Sequence, residues 1–376
     1  EIAKRITAMT GKKILVLQPN KELLHQNAEK YKLTGEPYSL FSASANSKSV
    51  RHNVVFGTAL SVKNQLNSFC EKFCLIILDE ADASLTPSIL KIIDSIRSKN
   101  PNLRVLGLTS SPYKLGQGYI YRADINGKQV PEDKAKEPFF TKQIVHISGR
   151  YLLAEGYASQ VVVGSINNGY DTSNLQVNSM GKFTAESVDK AFVGHGRKTS
   201  SIIADVIAKS RDRKSVLIFA ATQKHAEECM ASLPPELSAF VTDKTTPADR
   251  DRIVRDFKSH NIKYLVNVNI FTRGFDHPAL DVIALLRATE SSALLHQIIG
   301  RIVRIHPGKK DGLLLDYAGN IDNHHPDGDL FNPVIKRWNS AGESQPITAI
   351  CPDCGVENEF SARKNDDGFG IDEQGY

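Results

Sequence analysis

Cysteine is scarce in this chain. Five occur in 376 residues, an odd number set mostly among apolar neighbours, which argues against a disulfide framework and for a reducing compartment. Long hydrophobic runs are missing too. No apolar stretch approaches membrane-spanning length, and the first residues lack the charged and apolar regions of a signal peptide. A membrane partner is therefore not expected, and a cytoplasmic location is. Neither sign of charge dominates: 47 Lys and Arg face 42 Asp and Glu, a net charge of +5. That modest basic excess suits a polyanionic partner without requiring one. Low-complexity tracts and short internal repeats are absent. What is there is ordinary globular composition, 41% hydrophobic and 24% charged, in a chain long enough for two or more domains.

Apolar runs alternate with helical patterns through the first third. Strands are expected at Ile14–Leu17, Val54–Phe56, Cys74–Leu78 and Arg104–Leu108, and helices over Lys21–Tyr31, Ala59–Leu66 and Ser88–Arg97. Such a βαβ series predicts a parallel sheet covered by helices on both faces. Between Tyr113 and Gly196 glycine, asparagine and charged residues dominate, with a hairpin signal at Asn126-Gly127. Residues 113–196 read as an insertion plus an interdomain connection. A second series follows: helix Lys198–Ala208, strand Ser215–Phe219, helices Lys224–Leu233 and Pro247–Ser259, strands Tyr264–Val268 and Val282–Leu286, helix Ser292–Ile305, strand Leu313–Asp316. The fold class expected is α/β, with parallel-sheet domains over 1–112 and 197–330 and a tail over 331–376.

Two adjacent carboxylates follow the strand Cys74–Leu78, in Asp79-Glu80-Ala81-Asp82. Open α/β sheets bind ligands beyond the carboxyl ends of such strands. Asp79 there would hold Mg²⁺, and Glu80 would orient or deprotonate an attacking water. Taken alone, the tetrad reads equally as a solvated acidic helix start. Thr109-Ser110-Ser111-Pro112 lies at the same edge, where hydroxyls either transmit the state of a bound phosphate or cap a turn. Thr272-Arg273-Gly274-Phe275-Asp276 follows the Leu265 strand. Its glycine admits close backbone approach, and Thr272 and Asp276 offer a hydroxyl and a carboxylate to phosphate and ribose. In Gln297-Ile298-Ile299-Gly300-Arg301-Ile302-Val303-Arg304 the two arginines are three residues apart and expected near one face of a helix. Two guanidinium groups so placed would neutralise charge on a transferring phosphoryl group.

Taken in order, these segments resemble the motifs of superfamily 2 helicases, nucleic-acid-dependent ATPases with two RecA-like domains. Motif Ia resembles the stretch from Leu17 through Pro19 to Asn27, and motif Ib resembles Gly57-Thr58. The Asp79 tetrad resembles motif II, Thr109 to Pro112 motif III, Leu217 to Ala220 motif IV, and the Thr272 and Gln297 stretches motifs V and VI. Asp-Glu-Ala-Asp invites comparison with DEAD-box RNA helicases. That group, however, has Ser-Ala-Thr and His-Arg-Ile-Gly-Arg where this chain has Thr-Ser-Ser-Pro and Gln-Ile-Ile-Gly-Arg. The chain is more similar to the bacterial and phage DEAD/DEAH helicases related to type III restriction subunits, a likeness strengthened by Leu315-Asp316-Tyr317-Ala318-Gly319-Asn320-Ile321 and His324. DNA is accordingly expected ahead of RNA as the strand.

The resemblance implies ATP and Mg²⁺ as cofactors. Asp79 would be the Mg²⁺ carboxylate and Glu80 the base. Arg301 and Arg304 would face the γ-phosphate, Arg304 as arginine finger. Gly274, Asp276 and Gln297 would lie at the nucleotide. Asp82, Thr109 and Ser111 would couple its state to the fold, and Pro19, Thr58 and Thr272 would follow a nucleic-acid backbone. The expected function is an ATP-driven helicase or translocase on DNA. Alternatives are an RNA helicase, a restriction-type duplex translocase subunit or, outside enzymes, a catalytically dead nucleic-acid scaffold. Retention of Glu80, Arg301 and Arg304 weighs against the scaffold. No Gly-x-x-x-x-Gly-Lys-Thr/Ser loop occurs, although the family needs one to cradle phosphates. The motif order places it ahead of Glu1, so the chain is expected to be a fragment trimmed at both ends, with negligible ATP hydrolysis of its own.

Cys351-Pro352-Asp353-Cys354-Gly355 has the spacing of a zinc knuckle. One pair supplies half a tetrahedral site, and a second pair is expected beyond Tyr376. Cys70 and Cys74 are poor partners, and Cys229 suits a helix-face core thiol. A free, redox-sensitive pair is the alternative. The tail would then carry a partial zinc-ribbon-like segment, with Zn²⁺ bound only in a longer parent.

Overall fold

The computed structural model describes residues 1–331 except Pro19, Cys70, Glu71, Gly116, residues 179–181, Asn269 and residues 272–274, and, beyond residue 331, only four short strands. Glu1–Arg337 is one compact unit and Trp338–Tyr376 another. The chain enters through helix α1 (Ile2–Thr10), strand β1 (Lys13–Gln18) and helix α2 (Lys21–Lys32). Strands β2 (Tyr38–Ser42), β3 (Ser47–Lys48) and β4 (Val54–Thr58) follow, then α3 (Ala59–Lys63), β5 (Phe73–Asp79), α4 (Ala81–Ser84), α5 (Pro87–Lys99) and β6 (Arg104–Leu108). They build a six-stranded sheet in the order β3-β2-β4-β1-β5-β6, parallel except where β3 turns back on β2. β2 and β3 carry no apolar run long enough to announce them in the sequence.

Side chains alternate across β1 and β5, so each strand feeds both faces. Leu15, Leu17, Ile76 and Leu78 pack with Ile89, Ile92, Ile93 and Ile96 of α5. On the other face Ile14, Val16, Leu75 and Ile77 meet Ala3, Leu24, Ala28 and Tyr31 of α1 and α2. Burial on both faces explains why these strands read as continuous apolar runs. Helix starts are set by side-chain caps that satisfy orphan amides. Asn20 accepts from Leu23 N, and Thr86 accepts from Ile89 N one residue before Pro87.

Short strands β7 (Tyr113–Lys114), β8 (Gly118–Tyr119), β9 (Tyr121–Ala123) and β10 (Phe140–Lys142) come next. The turn at Asn126-Gly127 is present, with Gly127 at φ 86° and Ala123 bridging Gln129. This segment is strapped to the first sheet. A Cβ on Gly107 would lie 2.4 Å from the Phe140 ring and 2.9 Å from Ala81 Cβ, so glycine at 107 lets the strap reach the residues after Asp79.

The second sheet begins earlier than residue 197. After α6 (Gly149–Ala154), strand β11 (Val161–Val163) pairs in parallel with a strand at the far end of the domain, and α7 (Ala185–Phe192) adds Phe192 to its core. Part of the stretch expected as insertion and connection is thus structural domain. Three valines beside glycine and asparagine are too short a signal to be separated from a linker. Then come α8 (Gly196–Lys209), β12 (Val216–Ala220), α9 (Gln223–Met230), β13 (Ser238–Val241), α10 (Pro247–Lys258) and β14 (Tyr264–Asn267). β15 (Val282–Leu286), α11 (Ser292–Ile299), β16 (Gly312–Asp316) and α12 (Asn320–His324) complete it. The order β11-β16-β15-β12-β14-β13 is parallel throughout. Two such sheets in one chain are consistent with two RecA-like domains.

In the second unit β17 (Pro346–Ile350) pairs antiparallel with β18 (Glu357–Ser361), and β19 (Arg363–Lys364) with β20 (Gly370–Ile371). Cys351 and Cys354, the expected half of a zinc site, lie outside the described residues. Among the described residues no three metal-ligating side chains gather. Cys229 is fully buried in the second core, as a helix-face thiol should be.

That core encloses a polar chain. His225 is fully buried, and its Nδ1 accepts from Ala221 N at 3.2 Å. Its Nε2–H therefore donates to the Tyr170 hydroxyl at 2.8 Å, which donates on to Thr199 Oγ1 at 3.0 Å. Burial, reinforced by the positive charge His195 can carry, pushes the His225 imidazole down to about 4. A histidine held neutral in the fold but free to protonate when unfolded stabilises fully above the unfolded value of 6.5. That contribution is lost as pH falls toward 4. Between pH 7 and 5 the loss amounts to about 2 kcal/mol. His225→Gln, less stable at pH 7, should lose about that much less than the parent over the interval in urea unfolding; parallel pH slopes would contradict this account.

Candidate active site

The carboxyl ends of β1, β4, β5 and β6 bring the first group of expected residues to one edge. Asp79 ends β5, opposite Leu108 of β6. Its Oδ2 accepts from Asn27 Nδ2 at 2.7 Å and its Oδ1 from Glu80 N at 3.1 Å, while its carbonyl accepts from Ser84 Oγ at 2.6 Å. The carboxylate is held in one orientation before any ligand arrives. Asn27 was not singled out from the sequence. It sits three residues after buried Leu24 on the stripe of α2 that faces the sheet, and that spacing is the signal for it.

Glu80 adopts φ 47°, ψ 55°, the left-handed region. A residue with a Cβ pays roughly 1–2 kcal/mol there. The bend turns the chain from β5 into α4 within one residue, and Asp82 is thereby buried, with 4% of its surface exposed. Thr109 Oγ1 donates to Asp82 Oδ1 at 2.7 Å. Gln297 Nε2, from α11 of the second sheet, donates to Asp82 Oδ2 at 3.3 Å. One carboxylate thus joins three of the expected segments across the two domains. Ser111 is fully buried, and its amide donates to Thr109 Oγ1 at 3.0 Å.

The arginines depart from expectation. Helix α11 ends at Ile299, and Gly300 caps it, so Arg301 and Arg304 follow the helix in a turn rather than sharing its face. They converge all the same: Arg301 Nη1 donates to Phe275 O at 2.8 Å and Arg304 Nη1 reaches the same carbonyl at 3.5 Å. Arg304 also forms an ion pair with Asp276. A shared carbonyl acceptor, not helical spacing, aligns the pair. Burial first, then the like charge of Arg304, pushes the Arg301 guanidinium down to about 10, with Glu80 and Asp276 acting the other way. Lys309 secures the turn from below, its ammonium donating to Ile302 O at 2.6 Å and Arg304 O at 2.9 Å. Ser159 N donates to Val303 O at 2.6 Å. Neither residue carries a periodic or motif signal in the sequence.

Thr58 ends β4, where its hydroxyl lies 3.1 Å from both Ser42 Oγ and Ser61 Oγ, donating to one and accepting from the other. It lies opposite Gln18 in the register of β1 and β4. Pro19, Thr272 and Gly274 lie outside the described residues. The arrangement offers carboxylate oxygens, hard donors that suit Mg²⁺. Guanidinium groups matched to phosphate oxygens stand on the other sheet.

Known proteins match in two blocks. Residues 1–114 match the family described as type III restriction enzyme, res subunit, and residues 198–306 match the helicase conserved C-terminal domain. A 51.5 kDa protein of a Lactococcus phage is 26% identical over 94% of this chain and 71% of its own length. The candidate mitochondrial ATP-dependent helicase irc3 of Schizosaccharomyces pombe is 25% identical over 72% of this chain, but only 42% of that protein is spanned. Among solved structures, the ATP-dependent type ISP restriction-modification enzyme LlaBIII bound to DNA superposes with a TM-score of 0.56 at 15% identity, over 84% of this chain and 25% of that one. At that identity the likeness is one of fold.

The bend at Glu80 yields a prediction. Glu80→Gly removes the left-handed strain and should raise the unfolding free energy by about 0.5–1 kcal/mol, after glycine's greater unfolded entropy is deducted. Urea denaturation of the two proteins at equal ionic strength measures it. Lower stability in the variant would mean that the glutamate side chain's own contacts outweigh the strain.

Proposed function

Because the chain is a superfamily 2 helicase with a ResIII-type first domain and a helicase C-terminal second domain, we propose that it closes on ATP between its two sheets and uses that closure to move along DNA. The observation that carries this reading is Asp82, which accepts from Thr109 beside the first sheet and from Gln297 beside the second. A hydrogen bond between the two domains makes their approach part of the site itself. Asp79 would hold Mg²⁺, which when bound neutralises charge on the phosphates. Glu80, at the left-handed bend between strand and helix, would take a proton from the attacking water. Arg301 and Arg304, held on Phe275 O, would meet the charge that builds on the transferring phosphoryl group.

DNA is preferred over RNA on the ResIII-type match and on the motif III and VI spellings. Nucleic-acid contacts are assigned to Pro19, Thr58 and Thr272. Such contacts bind backbone without reading sequence. Movement would follow from domain closure on ATP and reopening after hydrolysis. The zinc-knuckle spacing of Cys351 and Cys354 is kept as a structural accessory, with no part in this chemistry.

ATP hydrolysis by the full-length protein, with and without single-stranded DNA, tests the reading. Glu80→Gln should lower kcat by about 10²–10⁴-fold while leaving DNA binding intact. Equal rates in the two proteins, or no stimulation by either DNA or RNA, would sink it. Stimulation by RNA alone would move the substrate to the RNA-helicase alternative.

A further inference from the structure

Gln297 reaches Asp82 from the far end of α11, so whatever fixes the start of that short helix fixes the contact. The start is gripped from one segment. Asp316, at the carboxyl end of β16, accepts from Ile321 N at 2.7 Å on one oxygen and from Asn320 Nδ2 at 2.8 Å on the other. Asn320, 1% exposed, is thereby oriented. Its Nδ2 also donates to Arg287 O at 2.9 Å and its Oδ1 accepts from Thr289 N at 2.7 Å. His324 completes the grip. Its Nε2–H donates to Thr289 O at 2.7 Å, which leaves Nδ1 to accept from Ser292 Oγ at 2.8 Å. Both backbone polar groups of Thr289 and the first side chain of α11 are therefore tied to Asp316, Asn320 and His324, spaced four residues apart. Ser291 then caps the helix by accepting from Leu294 N.

We propose that Asp316, Asn320 and His324 are positioning residues, acting through the take-off of α11 to hold Gln297 on Asp82. The proposal rests on the functional reading above. The sheet does not need this grip, because β15 and β16 are already joined along Val282–Leu285 and Leu313–Asp316. The cross-domain contact does need it. Five residues separate Ser292 from Gln297, a lever of about 7.5 Å at 1.5 Å per residue. A tilt of about 10° at its base moves the far end by more than ~1 Å, enough to break a 3.3 Å hydrogen bond. Displacements of that size far from the chemistry can cost about 10²-fold in rate. The side chain at each position is chosen for its donor and acceptor pattern. Asn320 must present both, and an aspartate there could not donate to Arg287 O.

His324 is the residue to change, because it is only half-buried and its removal leaves the core residue Ile321 in place. In the full-length protein with saturating single-stranded DNA, His324→Ala should lower kcat about tenfold. The KM for ATP should stay within about twofold, and the unfolding midpoint close to that of the parent. His324→Gln, which keeps a donor for Thr289 O, should recover most of the rate. In a Gln297→Ala background, His324→Ala should cost nothing further, since both act through one contact. Unchanged kcat in an enzyme that DNA does stimulate overturns this proposal alone. So does a loss that tracks the unfolding midpoint in both variants, or one that adds in full to Gln297→Ala. A parent that neither DNA nor RNA stimulates overturns the functional reading, and this proposal with it.

Discussion

A single buried carboxylate organises the two halves of this molecule. Asp82 is 4% exposed, and a charge so placed must be fully satisfied or it is destabilising by several kcal/mol. Its two oxygens are satisfied from different domains: the Thr109 hydroxyl lies at the end of the neighbouring strand, and the Gln297 amide comes from the opposite sheet. Separation of the domains would break the Gln297–Asp82 hydrogen bond. The joint is polar and short. A single polar contact of this kind suits a joint that cycles, as the proposed function requires.

Everything around that joint is arranged to deliver it. Glu80 occupies a left-handed backbone conformation because β5 has to end and α4 begin within a residue. A gentler path would carry Asp82 away from Thr109. The cost is stored where the proposed chemistry takes place, a common association of strained backbone with function. Asn27 fixes Asp79 from the other side, and the Phe140 strap fits over Gly107 beside Ala81. The first sheet thus presents a preset row of oxygens.

Much of this was legible in the sequence, for physical reasons. Strands buried on both faces are apolar along their whole length, so β1, β5, β12 and β15 declared themselves, and each expected carboxyl-edge motif follows one of them or a close neighbour. The β2 and β3 strands did not, since an edge pair covered on one face carries a mixed pattern. Strand β11 hid for a related reason: three valines become a strand only once β16, about 150 residues later, offers its ladder. The helical reading of Arg301 and Arg304 failed at Gly300. Apolar periodicity continues through Ile302 and Val303 because the turn is also packed against the core, so the pattern outlives the helix. Tertiary acceptors such as Phe275 O leave no trace in spacing at all.

The turn that replaced the expected helix makes better electrostatic sense. A helix would place Arg301 and Arg304 near one face and commit the carbonyls of that turn to its own ladder. The observed turn instead spends its backbone carbonyls on Lys309, leaving both guanidinium groups to converge at Phe275 O. Three cations are then concentrated about one loop, with Asp276 the nearest counter-charge to Arg304. Burial first, and then the charge of Arg304, push Arg301 down to about 10; burial pushes Lys309 down to about 8, with Arg304 and Arg213 adding to it and Asp281 and Asp311 opposing it. Under the proposed function, a phosphate entering from the Asp79 side would offset part of the cost of burying these charges. On the proposed reading the site is completed from both sheets, with the carboxylates of the first and the guanidinium groups of the second facing one anion.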